Sequence, residues 1–151
     1  MIHYPPINYL AVLVAGIVIF VLGGLWYSPA LFAKRWIALQ GRTDEQMRAQ
    51  AAAANMPLLY VGAFVTSLLI AITLALILGH IGRDPAMAEA GGGVSAGHGA
   101  IIGFMCWLGF AASTSYATAT FSGKPKQLWF IDTAYNLVCF VIAGIILAVW
   151  R

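Results

Sequence analysis

The chain contains four uninterrupted apolar stretches, roughly Ile7 to Tyr27, Pro57 to Gly79, Gly97 to Phe121 and Leu128 to Trp150. Each is long enough for a helix to cross a hydrocarbon core, which takes about 20 residues. The first three hold no Asp, Glu, Lys or Arg, and the fourth holds one, Asp132. A buried helix of a soluble protein keeps a polar outer face, and these stretches have none. Composition agrees: 9% charged residues, against about 25% in soluble domains, cannot cover a globular surface. The expected fold is an all-α membrane protein, a single domain over residues 1–151 in which four transmembrane helices form a bundle.

The stretch Leu22 to Trp36, LGGLWYSPALFAKRW, shows where the first span ends. Trp26 and Tyr27 suit headgroup level, Pro29 cannot continue the helical hydrogen-bond ladder, and Lys34 and Arg35 belong in water or among phosphates. A cleaved signal peptide needs a cationic start and a shorter apolar centre. Met1 to Tyr9 has no Lys or Arg, so this stretch is expected to remain as a helix.

Cations set the expected orientation. Loop 28–56 holds Lys34, Arg35, Arg42 and Arg48, loop 122–127 holds Lys124 and Lys126, and the opposite side has Arg83 and Arg151. The positive-inside rule then puts both loops in the cytoplasm and both termini outside, in a multi-pass protein of the cell membrane. The net charge of +3 is small and its cations sit at segment ends, which excludes nucleic acid as an expected partner.

Loop 28–56 is the region with soluble-looking structure. Phe32, Trp36 and Leu39 recur at helical spacing around Lys34 and Arg35, as in a short interfacial helix. Gly41 ends it, and Thr43 with Gln46 forms a capping box for a second connector helix, with Asp44 and Glu45 in its first turn. That helix runs through Ala51 to Ala54 toward Pro57, which either begins the second span or kinks a continuous one. In the opposite loop, Gly91-Gly92-Gly93-Val94-Ser95-Ala96 nominally matches a dinucleotide fingerprint, but the required strand and βαβ unit are missing. His80 and His98 bracket this loop with Asp84 and Glu89 between, a spacing that fixes no metal geometry. Cys106 and Cys139 lack a CxxC or ligand cluster and read as buried free thiols. No catalytic residue, metal or cofactor is expected.

The third and fourth spans carry the polar chemistry. At about 100° per residue, Asp132, Tyr135, Asn136, Cys139 and Ala143 share one arc of the fourth helix. On the third, Gly99, Gly103, Phe110, Thr114, Ala117 and Thr118 form a stripe, and Gly99 to Gly103 is a GxxxG spacing that permits close backbone approach. Ser67, Ala71 and Ala75 add small residues on the second. An ionised Asp at mid-bilayer costs about 2.5 to 3.5 kcal/mol on insertion scales, whereas the twelve Leu, Ile, Val and Phe of the fourth span contribute roughly −4 to −7 kcal/mol. Asp132 is therefore tolerated, either as an interfacial anchor near Lys124 and Lys126 or in an inward-facing pocket. The candidate polar pocket comprises Tyr27, Ser28, Thr114, Thr118, Asp132, Tyr135 and Asn136.

The run Leu22-Gly23-Gly24-Leu25-Trp26-Tyr27-Ser28-Pro29, then Leu31-Phe32 and Trp36, resembles the bacterial membrane family known as domain of unknown function 1761 (DUF1761). Trp107-Leu108-Gly109-Phe110, Thr114-Ser115, Phe121-Ser122-Gly123-Lys124-Pro125, Tyr135, Leu137, Gly144 and Trp150 match as well. The resemblance implies a small four-helix integral membrane protein and supplies no activity. Where the family pattern has Asn-Ala-Gly-Tyr, this chain has Asp132-Thr133-Ala134-Tyr135, a departure that weighs against a family mechanism built on a carboxylate.

Three function classes follow. The first is a non-enzymatic bundle whose polar inner face binds or passes a small molecule of unassigned identity. The second is a scaffold that pairs with other membrane proteins through its small-residue stripes, or with itself as a homo-oligomer. The third, a membrane enzyme acting on a lipid or quinone, has no nucleophile–base pair or metal-ligand set behind it. The expected common partner is the lipid bilayer.

Overall fold

The computed structural model describes residues 5–85 and 94–150. Met1 to Tyr4, Glu89, Gly91 to Gly93 and Arg151 lie outside the described residues. Among those described there is no strand, and four helical segments are long and apolar enough to cross a membrane.

Helix α1, Tyr9–Trp26, starts at Asn8, whose side chain accepts from the Leu10 and Ala11 N–H groups that have no intrahelical partner. After Tyr27 the chain folds back: the Phe32 N–H bonds the Trp26 carbonyl and the Ala33 N–H the Ser28 carbonyl. Helix α2, Ala33–Leu39, follows. Gly41, at φ 64°, turns the chain into α3, Asp44–Ala53, where Thr43 and Gln46 exchange both bonds of a capping box. Asn55 caps α4, Met56–Ile81, and Pro57 sits in its first turn. Pro57 therefore opens the second long helix instead of kinking a continuous one, because a first-turn N–H has no partner to lose.

The third span is α5, Ala96–Cys106, a π-helical turn from Trp107 to Ala112, and α6, Ser113–Phe121. The Ser113 hydroxyl donates to the Leu108 carbonyl five residues back (2.6 Å). Gly123, at φ 68°, reverses the chain into α7, Lys126–Val149. The long helices pack together, with α7 touching α1, α4 and α5.

The interior is built from small side chains. Ala11, Ala15, Ala71, Cys139 and Ala143 are buried around Ile19, Leu74, Leu78 and Leu147. Large apolar groups face outward instead: Leu10, Ile17, Val21, Leu58, Val61, Leu69 and Ile101 are exposed. A water-facing surface would not tolerate that arrangement. Lipid favours it, because helices in hydrocarbon gain by close van der Waals approach and not by hiding Leu.

The closest approach joins α5 to α7. A methyl added at Gly99 would collide with the Gly144 carbonyl, and one at Gly103 with the Phe140 carbonyl. The GxxxG spacing is thus occupied inside one chain, which takes the stripe away from the scaffold reading. Overpacking a filled contact costs about 1–3 kcal/mol or more. Gly103→Leu is expected to lose at least that much in chemical unfolding in micelles, whereas Gly109→Ala, with open space at its Cβ, stays within about 1 kcal/mol of wild type on helix-propensity grounds. Equal behaviour of the two variants would refute the packing.

Candidate functional site

The Trp-Tyr-Ser-Pro end of α1 meets the fourth span at Asp132. Tyr27 donates its hydroxyl to Asp132 Oδ1 (2.8 Å), and Trp36 on α2 donates its indole N–H to the same oxygen (2.9 Å). Trp26 donates to the Ile131 carbonyl (3.2 Å), Trp107 to the Thr133 carbonyl (2.9 Å), and the Asn136 amide to the Asp132 carbonyl (3.1 Å). Three successive carbonyls of α7 thus each accept a side-chain N–H. A carbonyl oxygen has two lone pairs, so it can serve the helix and a side chain together. An indole N–H taken into a helix interface needs such an acceptor, since water is scarce there.

Local structure delivers each donor. The fold-back after Tyr27 brings α2 under the end of α1, so Trp36 lands beside Tyr27 with ring centroids 5.4 Å apart. The π turn begins at Trp107 and carries an extra residue, so α5 and α6 present different faces to α7: Trp107 reaches Thr133, and the Ser115 hydroxyl accepts from the Trp129 indole (3.0 Å). Gly23 leaves room for Tyr135, whose hydroxyl donates to the Ile19 carbonyl (3.3 Å).

Both donors on the Asp132 carboxyl converge on Oδ1. Oδ2 has no hydrogen-bond partner among the described residues and is not among the enclosed unpaired side-chain atoms, which are Ser28 Oγ and Thr133 Oγ1. Asp132 instead borders two cavities. One, of about 490 Å³, lies under the connector, walled by Trp36, Gln40, Arg42 and Gln50 and by the turn from Ser122 to Pro125. The other, of about 310 Å³, is walled by Thr114, Ser115, Thr118, Ala119 and Trp129. Lys124 borders both. The loops 28–56 and 122–127 therefore meet at one end of the molecule.

The candidate pocket residues divide into two groups. Thr114 and Thr118 share a cavity with Asp132, although each hydroxyl donates to its own helix, Thr114 to the Phe110 carbonyl and Thr118 to the Thr114 carbonyl (3.0 Å). Tyr27, Tyr135 and Asn136 line a separate cavity of about 640 Å³ between α1, α4 and α7, with Tyr60, Ser67 and Cys139. Tyr27 belongs to both groups through its bond to Asp132, and Ser28 borders none of these cavities. Lys124 lies beside Asp132 without an ion pair among the described residues.

Both histidines of the described residues bond locally. His80 Nδ1 lies 2.8 Å from the Leu76 carbonyl, and His98 completes the cap of α5 with Ser95. Among the described residues no set of three His, Cys, Asp or Glu could hold a metal ion. Cys106 and Cys139 are free and buried in one apolar cluster.

Four helical segments long and apolar enough to cross a membrane, three of them joined by half-buried indole and phenol donors, define a small polytopic membrane protein. The chain belongs to the family described as protein of unknown function (DUF1761), whose profile matches residues 10–148. Neither the curated proteins nor the solved structures include a match to it.

The two bonds on Oδ1 do not require a carboxylate at position 132. Tyr27 and Trp36 need one acceptor oxygen, and a side-chain amide offers one as well as a carboxylate does. Asp132→Asn is accordingly expected to unfold within about 1 kcal/mol of wild type in denaturant titrations in micelles, whereas Asp132→Leu strands two donors and loses about 1–3 kcal/mol. Equal stabilities for the two would show that the hydrogen bonds do not form.

Proposed function

We propose that this chain is a non-enzymatic protein of the cell membrane whose polar inner face at Asp132 binds a small molecule, and passes it on if two copies complete a path. The observation that supports this reading is the division of labour on one carboxyl group. Oδ1 is committed to Tyr27 and Trp36, Oδ2 has no partner among the described residues, and Asp132 borders a cavity of about 490 Å³, within the range of about 300–1,000 Å³ typical of ligand sites. A purely structural acid would be expected to use both oxygens or to pair with Lys124.

The distribution of cations favours a cytoplasmic position for this end. Lys34, Arg35, Arg42, Arg48, Lys124 and Lys126 belong to its two loops, and positive loops stay inside. The termini then lie on the far side. An enzymatic reading lacks support: the Tyr27 hydroxyl is committed to Asp132 Oδ1, the Thr114, Thr118 and Ser122 hydroxyls donate to helix carbonyls, and Cys139 is 1% exposed.

Native mass spectrometry of the detergent-purified protein tests this. A molecule bound one-to-one is expected in the wild type and absent in Ser122→Trp, which places an indole in the cavity from an exposed turn. A wild-type protein without any bound species, or one whose bound species persists in Ser122→Trp, would contradict the proposal.

A further inference from the structure

We infer that the cavity beside Asp132 takes a zwitterion joining a primary ammonium to a phosphate, the chemistry of an aminophospholipid headgroup. The inference rests on the proposed binding role and names the ligand class for the same site.

Charge comes first. The wall offers one acid with a free oxygen and two cations, Lys124 and Arg42. Arg42 spends one guanidinium N–H on the Gln50 side chain and keeps the others. A simple anion would leave Asp132 facing it, and a simple cation would face Lys124 and Arg42. A ligand carrying both signs satisfies all three groups, with N–H donors toward Oδ2 and phosphate oxygens toward the cations.

Position comes second. Asp132 lies in the second turn of an apolar helix and Lys124 just before its start, so the site straddles the boundary where headgroups reside. The second cavity extends from the same two residues along α6 and α7, past Ala119 and Trp129. Its Thr114 and Thr118 hydroxyls are spent on their own helix, so beside a headgroup in the first cavity the second offers its chains Ala119, Trp129 and the threonine methyl groups.

Binding of short-chain phosphatidylethanolamine, phosphatidylglycerol and phosphatidylcholine to the purified protein, and of soluble O-phosphoethanolamine, tests the assignment. The ethanolamine lipid is expected to bind one-to-one and about tenfold tighter than the other two, the scale of one charge-assisted hydrogen bond. Asp132→Asn should reduce it to the glycerol lipid's affinity, and Lys124→Gln should weaken both. Arg48→Gln, outside the cavity wall, should change nothing. Soluble phosphoethanolamine binding as tightly as the lipid would assign the same chemistry to a free zwitterion and overturn the lipid source. Equal affinities for all three lipids, unchanged in Asp132→Asn, would overturn the inference. If a different bound species is then lost in Ser122→Trp, the binding role survives and the ligand class falls; if none is lost, both fall.

Discussion

Hydrocarbon offers no partner to a polar hydrogen, and the fold answers to that constraint at residues 131–133 of α7. Tyr27, Trp36, Trp26 and Trp107 bring hydroxyl or indole hydrogens inward, and one short stretch of α7 accepts all four. Each such bond is worth only about 0.6 kcal/mol on average between membrane helices. Together they amount to about 2–3 kcal/mol, enough to select one arrangement of the connector without holding the helices together unaided.

Cohesion comes from backbone proximity. Gly99, Gly103 and Gly144 let α5 and α7 approach until carbonyls meet the space a side chain would fill. Between α1 and α4, Gly16 leaves room for the Leu68 side chain, and Ala11, Ala15 and Ala71 are buried. The two devices divide the work: small residues set the distance between helices, and the aromatic donors set the register of α7 against the loop that follows α1. The cavities border the hub because bulky rings held by directional bonds cannot fill space as densely as aliphatic side chains do.

Much of this was legible in the sequence. Span positions follow from hydropathy alone, and the capping residues Thr43 and Gln46 follow from local hydrogen-bonding rules that operate without tertiary context. The Gly99–Gly103 pair announced a close contact, but not whether the partner was α7 or a second chain. The candidate pocket already grouped Tyr27 with Asp132. It could not place Trp36, because the turn between α1 and α2 depends on backbone bonds with no sequence period. The π turn at Trp107 was hidden for a related reason, since a single added residue leaves an apolar helix equally apolar. Thr118 and Asn136, grouped with Asp132 in one candidate pocket, border different cavities. The five tryptophans in a small chain were the overlooked signal: every buried indole must find an acceptor.

The central claim is that Trp36 of the connector is bonded to Asp132 inside the molecule. Indole ¹⁵N–¹H NMR of tryptophan-labelled protein in micelles reads this bond directly. The account predicts that the Trp36 signal exchanges with water more slowly than that of the exposed Trp150, and that it shifts in Asp132→Asn while the Trp107 signal stays in place. A Trp36 indole that exchanges as fast as Trp150 and ignores the change at Asp132 would contradict it.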